Sequence, residues 1–330
     1  MASLAEIRAR IAAAENKNQN NNTRSQDNAI YPHWNIADGA TAALRYLPDA
    51  DPENTFFWVE RNIIKLPFNG VKGQADSKQI TVQVPCVEMY GENCPVLAEV
   101  RPWYKDDTLK DMANRYWKKR SYLYQGFVRT NPLGDDQPPV NPIRRFIVTP
   151  QIQTIIKSSL MDPELEELPT DYTRGLDFNI RKTAGKGGYS EYTTSGWARK
   201  ESPLTEAELA AIEAHGLYNL KDFLPKKPSE AELRIIKEMF EASVDGRPYD
   251  NEKWGAYYRP YGLEAPAGAA PAEQSESAGT SSAPSAPVIT NDDSDAPWEA
   301  DAPVVVPSSP STSSDKAQDI LAMIRARQTK

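Results

Sequence analysis

Histidine and cysteine are almost missing from this chain: 330 residues contain two of each. Two cysteines, Cys86 and Cys94, cannot staple an extracellular scaffold, and with no export signal ahead of them they are expected to stay reduced. The scarcity of histidine argues equally against an enzyme. His33 beside Trp34 and His215 before Gly216 lie in no nucleophile motif, and Gly185-Lys186 is followed by Gly187 where a P-loop requires Ser or Thr. Asp135-Asp136 could be pictured as nuclease metal ligands, but between Gly134 and Pro138 they read as a solvated turn. No run reaches the roughly 18 apolar residues of a membrane span, and the N-terminus lacks the basic, apolar, small-residue order of a signal peptide. A soluble, unsecreted protein with no membrane partner is expected. Its 39% hydrophobic and 9% aromatic content suffices for a packed core, while 27 prolines and a polar end point to disordered extensions of a globular body.

The net charge of −8 would repel nucleic acid if it were spread evenly. It is not. Glu264 to Asp315 holds nine acidic residues and no lysine or arginine; without that stretch, 38 basic residues face 37 acidic ones. From Arg115 to Arg145 seven basic residues (Arg115, Lys118, Lys119, Arg120, Arg129, Arg144, Arg145) stand against Asp135 and Asp136, and Tyr172 to Lys200 adds six against two. A basic middle with an acidic tail suits a protein whose tail can mimic a polyanionic ligand.

Three regions follow. Residues 1–29 form an arm and linker: Leu4, Ile7 and Ile11 recur at helical spacing, Ser3 and Glu6 fit a capping box, and Asn16 to Asn28 is almost free of apolar residues. Residues 30–262 form the body, and 263–330 an acidic Pro, Ala and Ser-rich tail ending in a short amphipathic helix. Within the body, strands are expected at Ala43 to Leu47, Phe56 to Val59 and Ile80 to Val84, with a strand pair at Tyr122 to Thr130 and Arg144 to Thr149. A hairpin is expected from Leu176 to Thr183 and Tyr189 to Ala198, and helices at Gln151 to Leu160, Thr205 to His215 and Ser229 to Ala242. Leu4 to Arg10 and Leu321 to Arg327 match at six of seven positions. They are either two generic helices or two segments able to share one groove.

The strongest constellation is Arg115, Tyr116, Trp117, Lys118, Lys119, Arg120, Tyr122 and Tyr124, with Arg144 and Arg145 further along the same basic segment. Cations interleaved with aromatics suit single-stranded nucleic acid, whose bases offer exposed π-faces that a duplex hides. The alternative is that the tyrosines pack a core and the charges form its solvated rim. A second set with the same mixture holds Lys186, Tyr189 and Tyr192, its glycines allowing close backbone approach to a ligand. Cys86 and Cys94 across a turn are half of a zinc site, and a structural site needs four ligands, so no cofactor is expected, with zinc the one to consider.

These residues resemble the T-even-type bacteriophage single-stranded DNA-binding (helix-destabilising) proteins. The resemblance is carried by Trp34, Gly39 and Arg45-Tyr46-Leu47-Pro48, by Cys86 to Cys94-Pro95, by Lys118-Lys119-Arg120-Ser121-Tyr122, and by Gly188-Tyr189-Ser190-Glu191-Tyr192. It implies a mainly β, α+β fold: an OB-type five-stranded barrel with a small appended subdomain, here about residues 60–115 and degenerate in its zinc ligands. By the same resemblance Arg45, Tyr90, Tyr104, Lys118, Lys119, Tyr122, Tyr189 and Tyr192 fall on DNA-contacting positions. The arm, with Leu4, Ile7, Arg8 and Arg10, corresponds to a self-association segment, although the family's dense basic cluster there is reduced to two arginines. The expected function is non-enzymatic, sequence-nonspecific coating of single-stranded DNA in phage replication, recombination and repair. It would act in the cytoplasm of the infected bacterial host, bind itself along the strand, and recruit replication and recombination proteins through its tail. The rival is an adaptor or assembly protein whose basic face binds an acidic partner.

Overall fold

The computed structural model describes residues 29–74, 77–134, 138–185, 189–260 and 263. The readings made of the arm (Leu4, Ile7, Arg8, Arg10), of Asp135-Asp136, of Lys186, and of the tail with its repeat lie outside the described residues.

The chain alternates strands and short helices: β1 (Thr41–Tyr46), β2 (Val59–Phe68), β3 (Ile80–Pro85), α1 (Pro95–Val100), α2 (Lys110–Tyr116), β4 (Lys119–Thr130) and β5 (Arg144–Val148). Next come α3 (Pro150–Leu160), β6 (Leu176–Arg181), β7 (Thr183–Ala184), β8 (Ser190–Glu191), β9 (Gly196–Glu201), α4 (Glu206–His215), α5 (Glu230–Val244) and α6 (Asn251–Trp254). The helices begin where their caps dictate. Thr149 accepts from the Ile152 N–H ahead of Pro150, whose fixed φ and missing N–H suit a first helical turn. Thr205 with Glu208, and Ser229 with Glu232, close reciprocal capping boxes on α4 and α5.

The 12-residue strand β4 organises the sheet. Leu123 lies opposite both Val59 of β2 and Ile147 of β5, and Gly126 opposite both Tyr46 of β1 and Arg144 of β5. Hence β1 and β2 run end to end along one edge of β4, with residues 48–58 looped out between them, and β5 takes the other edge. At the crossing, a methyl group on Gly126 would overlap the Arg45 carbonyl oxygen, so only glycine fits. The strand order is β3-β2-β4-β1-β6-β9, antiparallel throughout, and β7 and β8 form a separate ribbon.

The fold is thus α+β, dominated by an antiparallel sheet with flanking helices, and among the described residues it is not a closed five-stranded barrel. Closure would require the end strands β3 and β9 to meet. Instead β3 turns its Val82 and Val84 into a second core under α5. That core joins Ile64, Leu66 and Phe68 of β2 to Val96, Leu97 and Val100 of α1, Trp103, Tyr116, and Ile236, Met239 and Phe240 of α5. The segment expected as an appended subdomain, about residues 60–115, therefore shares its core with residues far beyond 115. The first core lies on the opposite part of the sheet, where Tyr46, Tyr124, Phe146, Val148 and Phe178 pack beneath Ile152 and Ile156 of α3.

Two strand expectations shift. Phe56 to Trp58 is loop, because β2 begins only at Val59 and the side chain of Asn54 takes the Phe56 N–H (3.1 Å) and reaches the Trp58 carbonyl (3.2 Å). The hairpin partner of β6 is β9, which pairs Phe178 with Trp197 and continues to Glu201, while the expected start at Tyr189 belongs to the small ribbon.

His33 is completely buried against Trp34 and Tyr192, and burial lowers its pKa from 6.5 to about 4. A histidine held neutral stabilises the fold fully above its unfolded pKa, and that contribution fades as pH falls toward the folded value. Between pH 6.5 and 5, denaturant titrations should show stability falling by about 1.4 kcal/mol per pH unit at most, and His33→Gln should flatten that slope. An unchanged slope in the variant would assign the acid sensitivity to other groups.

Candidate nucleic-acid interface

The basic-aromatic segment folds as the end of α2 running into β4, so helix geometry places its first residues and strand alternation the rest. Tyr116, the last residue of α2, is buried: its ring meets Trp103 and Phe240 edge-on, and its hydroxyl pairs with Ser243 Oγ at 3.0 Å. Along β4, Tyr122 and Tyr124 share a face, and that face is the first core. Tyr124 is fully enclosed with its hydroxyl donating to Gln153 of α3, and Tyr122 keeps only 5% exposure, with Lys157 Nζ 5.2 Å from its ring centroid. The expected stacking roles of Tyr116, Tyr122 and Tyr124 are thereby corrected. Helix α3 and the second core cover the rings, as apolar burial of an aromatic demands when a neighbouring face is available.

The same holds for four further expected contacts. Arg45 has no exposed surface; its guanidinium donates to the backbone carbonyls of Pro169, Asp171 and Leu176, the last at 3.0 Å. Gly175 makes room for it, since a Cβ there would collide with the guanidinium nitrogens. Burial lowers the pKa of Arg45, as does Arg129, against Asp177, Glu208 and Asp171. Arg144 and Arg145 are buried beside aromatic rings, Arg144 5.6 Å from Tyr31 and Arg145 3.9 Å from Phe223. Tyr192 is buried against His33, its backbone N–H held by Gln151 at 3.0 Å.

What remains at the surface forms two groups. At the α2–β4 junction, Arg115 and Arg120 are exposed and Lys118 and Lys119 half-buried. Lys118 pairs with Glu88 at 2.8 Å, and Lys119 reaches the Asn114 carbonyl at 3.3 Å. Trp117, between Arg115 and Lys118 in the chain, forms a half-buried edge-to-face pair with Tyr104, centroids 5.3 Å apart, packed against the second core. Tyr104 is fixed by a 3.0 Å hydrogen bond from its hydroxyl to Asn114 Oδ1, and exposed Lys105 follows it. Tyr90, also half-buried, has its pKa raised by burial. The second group is the β7–β8 ribbon and the strands beside it. Tyr189 is 59% exposed, Arg181, Arg199 and Lys200 are exposed, and Lys182 Nζ donates to the Trp34 carbonyl at 2.9 Å. Trp117 is legible as a member of the basic-aromatic segment, but not as the ring that stays half-exposed while Tyr116 before it is buried.

Cys86 and Cys94 are buried in contact. A hydrogen bond from the Cys86 thiol, with the N–H groups of Leu97, Val96 and Val87, draws the Cys94 pKa down, while Cys86 is pushed up. Among the described residues no three potential metal ligands come together, and no helix is long and apolar enough to cross a membrane.

The sequence matches no protein-family model and no curated protein.

Proposed function

We propose that the chain is a non-enzymatic, sequence-nonspecific single-stranded DNA-binding protein. Its body is a variant of the OB-type barrel with an appended subdomain, and it coats unwound strands in phage replication, recombination and repair in the cytoplasm of the infected host. The tail recruits replication and recombination proteins, and neighbouring copies associate along the strand. The observation that carries this reading is the α2–β4 junction, where half-buried Trp117 meets Tyr104 edge-to-face, Asn114 holds Tyr104 and is reached by Lys119, and the same segment carries exposed Arg115 and Arg120. Ring faces and edges at that depth can meet unstacked bases while the surrounding cations take phosphates, a combination that needs no particular base sequence. Beyond the other end of β4, where Thr41 pairs with Arg181 and Ala43 with Thr130, Arg181 is exposed, and Tyr189 of the neighbouring ribbon offers an exposed ring.

A poly-dT titration at two salt concentrations tests it. Tryptophan fluorescence should be quenched with steep salt dependence. Arg115→Ala with Arg120→Ala should flatten the salt slope by roughly 1.4, about 0.7 for each phosphate of a single strand that is no longer neutralised. The melting temperature should not move, since both side chains are exposed. Binding to an acidic polypeptide with no response to poly-dT would replace this reading with that of an adaptor.

A further inference from the structure

One large apolar ring at the surface has a support that isolated exposed residues lack. Phe56, 56% exposed, lies near the end of the 48–58 loop that bulges out between β1 and β2. It stacks on Trp58 at 4.7 Å with 32° between planes, Trp58 continues onto Tyr124 (5.8 Å, 31°), and Tyr124 onto Tyr46 (4.7 Å, 33°). Tyr46 in turn meets Phe178 at 5.8 Å and 32°. The result is a staircase of five similarly tilted rings that starts in the first core and ends at solvent on Phe56.

The top step is held in place. Asn54 Oδ1 accepts the Phe56 N–H, Asn54 Nδ2 reaches Asp49 (2.7 Å) and the Trp58 carbonyl (3.2 Å), and Asp49 also accepts the Leu220 N–H at 3.0 Å. Asp51 accepts the Glu53 N–H at 2.9 Å and pairs with Lys221 at 2.6 Å. Two of the loop's carboxylates are thus occupied in holding its shape. Lys157, against the Tyr122 ring on the same face of β4 as Tyr124, supplies a cation on that side of the sheet. A ring presented in a fixed orientation loses little entropy when a ligand stacks on it.

We propose that Phe56 is a nucleobase platform: an unpaired base stacks on its outer face as the sixth step of the staircase, with a backbone phosphate drawn toward Lys157. This inference rests on the single-strand-binding reading, and adds to it a contact away from both basic groups. Being apolar and sequence-tolerant, such a step favours no particular base over another.

The test compares wild type, Phe56→Ala and Phe56→Trp in full-length protein with dT oligonucleotides at one fixed salt concentration and across a salt series. Phe56→Ala should weaken binding roughly tenfold, as removal of one stacked base does, without changing the salt slope or the melting temperature. Phe56→Trp should restore affinity and add to the fluorescence quenched on binding. Wild-type protein that binds dT while Phe56→Ala binds equally well would overturn the platform and leave the single-strand reading standing. No binding by wild type would remove both. Unchanged dT affinity with impaired self-association in sedimentation would assign Phe56 to protein contact and overturn the platform.

Discussion

Replacing Arg45 by methionine should destabilise the body by about 3 to 5 kcal/mol, a loss seen as a melting temperature lowered by about 10 °C. The guanidinium satisfies three backbone carbonyls in the 169–176 segment from a site without solvent, and methionine fills the volume but leaves those acceptors unpaired. Each such buried acceptor costs about 1 to 3 kcal/mol. Arg45→Lys should be nearly as damaging, because one ammonium cannot reproduce the planar fork that reaches several acceptors at once. A variant that melts normally and binds DNA weakly would instead return Arg45 to the ligand.

An equally large effect separates two tyrosines that sequence alone treats alike. Tyr124→Ala should cost about 3 to 5 kcal/mol, since it empties the middle step of the aromatic staircase, strips Gln153 of its partner and leaves a cavity under α3. Tyr189→Ala should change stability by less than about 0.5 kcal/mol and weaken dT binding by roughly 1 to 3 kcal/mol. Thermal melts and dT titrations of the pair decide the matter; a stable Tyr124→Ala, or an unstable Tyr189→Ala, would contradict the placing of one ring in the core and the other at the surface.

The elements most legible in the sequence are those with a local cause. Strand β4 carries the aromatic and β-branched run from Tyr122 to Thr130, α3 opens on Thr149-Pro150, and α5 on a Ser229–Glu232 box, so residue type and capping chemistry mark them without help from the rest of the chain. Strand β2 is illegible because Glu60, Arg61, Asn62 and Pro67 interrupt its apolar pattern; pairing with β3 and β4 on its two edges overrides propensity. The candidate contacts are legible as residue types but not as sides. Alternation says that Tyr122 and Tyr124 point together, and cannot say that a helix beginning at Pro150 will cover them. Arg45 reads as a cation for phosphate because its true partners, three carbonyls more than 120 residues away, carry no side-chain signature.

The second core draws β2, β3, α1 and α2 together with α5 and α6, segments separated by more than 100 residues of chain. During synthesis the ribosome delivers Ile64, Val84, Leu97 and Trp103 long before Phe240 and Trp254, and until those arrive one side of the early segment has nothing apolar to rest on. The nascent chain must therefore hold this half open while the β4 sheet and its α3 cover are completed. A chain that ends short of about residue 230 exposes a sticky surface beside its free thiols, whereas one that has released residues through Leu263 from the ribosome carries the α5 and α6 residues that close this core.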